Sequence, residues 1–291
     1  MNAIRSLLLC WFLLSQCAAA GDSTATGSRW TFLPSGTLFT PLPASWLEPR
    51  IGVEKQIGSS RMRLDIGSTF DMLEVRVGDF TGRAGVDFFT YALSTSANGH
   101  RLQIDAVDGI FGGNITSSVR ISHGCMLFRL RLLHLSAHFL DGHYDNAAGG
   151  WKDGQEPIPY TRDFGELTAL YESGTTSWLL MPYAGAAYAT LVRPVDVQRF
   201  SCHAGVTVLL PPTGGTVFGQ SFRLYGSLHF TVTGTPAYGG TTRIEGGIRF
   251  GEWRGRGIRI YGGYYAGFDA FSQYFTARRS FASLGFAFDP W

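Results

Sequence analysis

His134, Ser136 and His138 alternate within Leu133-His134-Leu135-Ser136-Ala137-His138-Phe139, the chain's densest set of groups able to move a proton or attack a carbonyl. Alternate residues of a strand share a face, so these side chains project together about 7 Å apart. An imidazole two residues from a hydroxyl can reach it as a general base, which makes Ser136 the candidate nucleophile and His134 its base. An acid to orient the imidazole must come from a neighbouring strand. On 161–171, Asp163 or Glu166 falls roughly level with the cluster and can serve as that third member. The competing reading is a hydrogen-bond network of His, Ser, Arg and acid residues that stiffens the structure. A metal would have to use His134, His138, Asp141, His143 and Asp145, whose spacing fits no zinc motif. No metal or other cofactor is expected.

The elements that carry these residues are strands. In Thr242 to Phe250 the even positions read Thr, Ile, Gly, Ile, Phe, and the odd ones Arg243, Glu245, Gly247 and Arg249. Phe218 to Val232 and Gln198 to Leu210 repeat the alternation. These runs of about 10 to 15 residues exceed the 5 to 6 usual in globular sheets and suit tilted membrane strands. With 38 Gly, 22 Phe, 12 Tyr, 7 Trp and only 16% charged residues, the composition also suits strands with one face in lipid and one in water. The expected fold is all-β, an antiparallel transmembrane β-barrel with an irregular N-terminal lead-in.

Short turns should lie in the periplasm and long loops, such as 141–160 and 269–279, outside the cell. Threading by that rule gives strands at 125–139, 161–171, 176–190, 198–210, 218–232, 241–252, 257–268 and 280–289. Less regular strands, including Arg61 to Thr69, Val86 to Leu93 and Arg101 to Phe111, fill 49–122 and bring the total to about twelve, with ten or fourteen as alternatives. Residues 21–48 read as a periplasmic lead-in or a plug, and 49–291 as the barrel. Arg129, Arg131, Arg243, Glu245, Arg249 and Arg259 are expected in the lumen, where they bias a pore or plug it with salt bridges. Tyr183, Tyr188, Tyr261, Tyr264, Tyr265 and Trp178 fall near strand ends and read as an interfacial girdle.

The first twenty residues have the parts of a Sec signal peptide: Arg5, an apolar run from Leu7 to Leu14, and Ala18-Ala19-Ala20 before Gly21. Cleavage near Ala20 and residence in a bacterial outer membrane are expected. That address makes outer-membrane lipids, lipopolysaccharide and the barrel-assembly machinery the expected partners. A net charge of +2 without a basic run argues against nucleic acid. After cleavage only Cys125 and Cys202 remain, near opposite ends of their strands and badly placed to bridge.

Phe32-Leu33-Pro34-Ser35-Gly36-Thr37-Leu38-Phe39, with Pro41-Leu42 and Glu48-Pro49-Arg50, resembles the domain-of-unknown-function family 1207 of bacterial outer-membrane proteins. Leu102-Gln103-Ile104-Asp105, Arg131 to His138, and Tyr264-Tyr265-Ala266-Gly267 through Gln273-Tyr274-Phe275 extend the likeness. The family's central motif is similar to His-x-Ser-Ser-His-Leu-Gly-Asp-Glu; here Ala137 replaces the second Ser and Phe139-Leu140-Asp141-Gly142 alters the tail. The resemblance implies an outer-membrane barrel and supplies no reaction. The His-x-Ser pair is also similar to that of two barrel enzymes, outer-membrane phospholipase A and the lipid A deacylase, whose next residue is Asn where this chain has Ala137.

Function therefore turns on which way one strand faces. Met126, Phe128, Leu130 and Leu132 share the parity of the histidines, so an unbroken register points the cluster at lipid, where such a hydrolase needs it. Leu133, Leu135, Ala137 and Phe139 form an apolar stripe of the other parity. Three polar side chains in lipid are costly, so a bulge near Leu132-Leu133 is expected to turn them into the lumen. The two readings are a barrel with a structural, binding or pore-like role, and an outer-leaflet lipid hydrolase using Ser136 and His134.

Overall fold

The protein is described from a computed structural model covering residues 28–97, 101–174, 178–217 and 219–290. Residues 1–20, read above as a signal peptide, and the terminal Trp291 lie outside these. Twelve strands close an antiparallel barrel: β2 (Ile51–Gln56), β3 (Met62–Val77), β4 (Phe80–Ala97), β5 (Arg101–Ile121), β6 (Gly124–Phe139), β9 (Tyr160–Gly174), β10 (Leu179–Arg193), β11 (Phe200–Val217), β12 (Gln220–Gly234), β13 (Tyr238–Gly251), β14 (Gly257–Phe268) and β15 (Arg278–Asp289). Each pairs with its sequence neighbour, and pairing of β15 with β2 shuts the ring. Among the described residues no helix is long and apolar enough to cross a membrane, which says nothing of crossing by strands.

The wall is apolar outside and charged inside, the reverse of a soluble barrel. Ile66, Phe88, Phe111, Leu132, Ile260 and Leu284 stand exposed around the outside. Arg63, Arg131, Arg243, Arg249 and Glu245 are fully buried inside. This distribution and the closed ring define a barrel of outer-membrane type.

One position in the wall is shared by two short strands. β1 (Arg29–Phe32) pairs with Leu73 to Arg76 of β3, whereas β2 pairs with Met62 to Asp65 of the same strand. Between them the chain leaves the wall, and residues 37–45 and 48–50 are almost entirely buried. Gly36 and Leu38 meet Arg83 and Asp71, Glu48 meets Arg129, and Trp46 packs between Tyr91 and Tyr265. A segment that touches β3, β4, β6 and β14 at once lies across the lumen. The alternation had not revealed β2, because six residues are too few for a pattern.

The lumen is filled in two tiers. At the short-turn end, Phe39 and Leu42 pack with Leu127, Leu170, Met181, Tyr183, Tyr225 and Tyr261. Toward the long loops, Leu133, Leu135, Ala137 and Phe139 join Phe89, Tyr91, Ile110, Phe164 and Phe271. Loop 269–277 folds back over this tier: Phe271 is fully buried, and the Ser272 backbone N–H donates to Asp108 at 3.0 Å. The neighbouring long loop carries a small hairpin of β7 (Tyr144–Asp145) and β8 (Gly150–Trp151). Gln273 ties the two together, donating to the carbonyls of Ala137 at 2.7 Å and Ile158 at 2.8 Å.

Candidate functional site

β6 runs without a bulge. Every odd residue from Leu127 to Phe139 is buried, and its register with β5 and β9 is unbroken. The expected turn at Leu132-Leu133 is therefore absent, and His134, Ser136 and His138 face outward. The reason is the upper tier of the lumen: it is apolar, so Leu133, Leu135, Ala137 and Phe139 are satisfied inside and nothing forces a change of parity.

On the outer face, His134 lies opposite Asp163 of β9 and Phe111 of β5. His134 Nδ1 and Asp163 Oδ1 are 2.6 Å apart, and the rings of His134 and Phe111 lie with centroids 4.9 Å apart. A carboxylate on Nδ1 fixes the imidazole tautomer and leaves Nε2 as the free nitrogen. Ser136 is the cross-strand partner of Thr161 and sits beside Gly109, whose missing side chain leaves its hydroxyl uncrowded. Among the described residues no hydrogen bond joins Ser136 to either histidine. His138 is exposed at the rim.

Glu166 does not belong to this cluster. Its even parity on β9 turns it inward, where Arg131 donates to it at 2.6 and 3.0 Å. His143 is likewise internal, stacked on Phe139 at 3.6 Å with Nε2 donating to the Gln155 carbonyl at 3.0 Å. Asp145 accepts from the backbone of Ala147 and Ala148 in its own turn. Among the described residues no three His, Cys, Asp or Glu side chains converge in a way that could hold a metal. Cys125 and Cys202 are both free.

The lumenal charges form paired networks. Arg129 grips Glu48 with two bonds of 2.9 and 2.5 Å, and Glu48 also lies 3.6 Å from Arg131. Around Glu245 gather Arg243 at 3.0 Å, Arg259 at 3.1 Å and the Tyr225 hydroxyl at 2.6 Å, with Arg50 at 3.7 Å. Arg249 and Arg259 share Asp289. Of the tyrosines expected in a girdle, Tyr188 and Tyr264 face outward, as does Trp178, but Tyr183, Tyr261 and Tyr265 are buried in the lumen. Their parity is that of the inward arginines, and the lumenal segment gives their rings something to pack against.

A cavity of about 190 Å³ remains in the lumen between the segment at Leu42 to Glu48, the inner faces of β6, β9 and β11–β13, and loop 269–277. His203 and His229 stand side by side on its wall, with centroids 5.4 Å apart. His203 is bonded to Thr168, and His229 to Tyr183 and Thr231. Composition gave no hint of this cavity or of its cover, since both depend on a loop returning more than 100 positions along the chain to Asp108 and Ala137.

No family model matches the chain, and no curated protein matches it. Among solved structures it is similar to the β domain of the Bordetella autotransporter BrkA. That likeness has 14% identity, covers 82% of this chain and 96% of that chain, and has a TM-score of 0.43. The assignment to the outer-membrane type of barrel rests on this chain's own strand pairing and inside-out polarity.

Proposed function

We propose that this protein resides in a bacterial outer membrane as a barrel with an occluded lumen, serving a structural or binding role and not conduction. The observation that carries the reading is the anchoring of residues 36–50 across the lumen. Glu48 is held by Arg129 and Arg131, and Arg50 lies near Glu245 while donating to the carbonyls of Pro43 and Ser45. Buried charges held in pairs resist displacement, because freeing one leaves its partner uncompensated. The short-turn end would face the periplasm and the long loops the exterior. Kinship with the domain-of-unknown-function family 1207 is part of the same proposal, as are Sec export and contact with lipopolysaccharide. In planar bilayers the unmodified protein is expected to be silent. A steady ohmic channel from the unmodified protein would refute the reading.

A second reading is favoured by one observation, the His134–Asp163 pair on the lipid-facing surface. Ser136 Oγ would attack an acyl ester carbonyl while His134 Nε2 takes the hydroxyl proton and returns it to the departing alcohol. Water would then release the fatty acid by the same route. Catalytic hydrogen bonds are often long before substrate arrives, so the missing Ser136–His134 bond does not oppose this. With the protein in vesicles of labelled phospholipid or lipid A, Ser136→Ala and Asp163→Asn should each lower fatty-acid release by roughly 10⁴-fold, as when a triad member is lost. Equal release from wild type and Ser136→Ala would end this reading.

A further inference from the structure

We propose that the lumenal cavity beneath loop 269–277 binds an oxyanion, the phosphate or carboxylate group of a small solute arriving from the long-loop side. This deepens the binding role above and rests on that reading for the direction of access.

The unused hydrogen-bonding capacity at this cavity includes three strong donors. Among the described residues, Arg162 Nε, Arg243 Nη1 and Trp46 Nε1 are buried without a hydrogen-bond partner, and all three residues line the cavity. Arg243 is only 2% exposed. The carboxylates on the same wall are already engaged: Glu48 by Arg129, Glu166 by Arg131 and Asp269 by Arg61. Buried donors without acceptors are rare in folded proteins, and acids committed elsewhere cannot satisfy them. A ligand rich in acceptors and lacking donors answers that imbalance. An oxyanion does so best, because two of the three donors are guanidinium nitrogens, whose planar fork matches phosphate and carboxylate.

Arg162 is the centre of the site. It stands on β9 with its guanidinium carbon 5.2 Å from the Phe164 ring centre, and among the described residues no acid pairs with it. Nearby lumenal arginines such as Arg131 and Arg243 have acidic partners. An inward arginine that no carboxylate grips keeps donor capacity turned toward the cavity. The volume of about 190 Å³ limits the occupant, since drug-sized ligands take about 300–1,000 Å³. A small anion, or the anionic end of a larger solute, fits.

The test uses the full-length mature chain folded in detergent at low ionic strength. Inorganic phosphate, acetate and glucose are titrated separately, with heat and tryptophan fluorescence as readouts. Saturable binding of phosphate or acetate is expected, with Trp46 reporting it. Arg162→Gln should weaken that binding at least tenfold and Arg162→Lys by less, whereas Arg76→Gln at the opposite end leaves it unchanged. Heat-modifiable migration on gels confirms that each variant is folded, and Arg162→Lys keeps the test open if Arg162→Gln is not. Saturation by neither anion, equal binding of glucose, or unchanged affinity in the folded Arg162 variants would each overturn the proposal. Detergent binding needs no bilayer, so a conducting protein that still binds anion would defeat the occlusion reading alone.

Discussion

Replacing Glu48 by Ala is expected to destabilise the barrel by about 3–5 kcal/mol, the usual cost of removing one member of a buried ion pair. Glu48 is 1% exposed and holds Arg129 through both carboxylate oxygens, with Arg131 close by. Without it, Arg129 is left with Glu166 at 3.7 Å and the face of Phe39, and Arg131 must share the same glutamate. The pair itself need not be a large net source of stability, because desolvating two ions offsets much of their attraction. That distinction can be measured. The Glu48→Leu, Arg129→Met double variant should recover much of the loss seen in either single variant, since it leaves fewer uncompensated charges. Urea unfolding in lipid vesicles, followed by tryptophan fluorescence, gives both numbers. A single-variant loss below about 1 kcal/mol would mean that the lumen admits water freely around Arg129.

Gly67→Ala is expected to cost about 2–5 kcal/mol, combining backbone strain with overpacking. Gly67 has φ of +146°, a conformation open in practice to glycine alone. A Cβ there would stand 2.3 Å from Phe89 Cα and 2.4 Å from the Phe88 carbonyl oxygen, so the obstruction is backbone and cannot rotate away. β3 must then part locally from β4, and amide exchange at Phe88 and Phe89 should rise with the fall in melting temperature. Gly78, at a φ of +55° with open space around it, serves as the comparison: Gly78→Ala should cost only the roughly 1–2 kcal/mol of a left-handed residue, without the clash. Equal losses at the two sites would show that crowding contributes nothing.

The contrast between Gly67 and the C-terminal strands explains what could be read in advance. Thr242 to Phe250 alternates cleanly because lipid lies on one side and paired charge on the other, and the strands expected at 257–268 and 280–289 form as Gly257–Phe268 and Arg278–Asp289. In β3 the pattern fails: Ser68 and Thr69 are both buried, and the pairing with β4 slips between Asp71 and Leu73. Arg61 to Thr69 was accordingly visible as only part of a strand that runs to Val77. The error on β6 has a different source. Polarity marks the lumenal face only where the lumen holds water or charge. Beside Leu133 to Phe139 it holds Phe89, Tyr91 and Phe271, so an apolar side chain is at home on either face. The acid that meets His134 was legible as Asp163 or Glu166 from strand pairing alone. Choosing between them required parity, which the unbroken β6 register supplies.

β1 and β2 occupy one lane of the wall, and the lumenal segment joins them; it is sewn in at both ends. It cannot be drawn out like a stopper. Clearing the lumen means peeling β1 from four residue pairs with β3, or tearing β2 from both β3 and β15. The same stitching bears on construction: a β15–β2 seam that closes with the segment already inside spares β1 and β2 from being opened again.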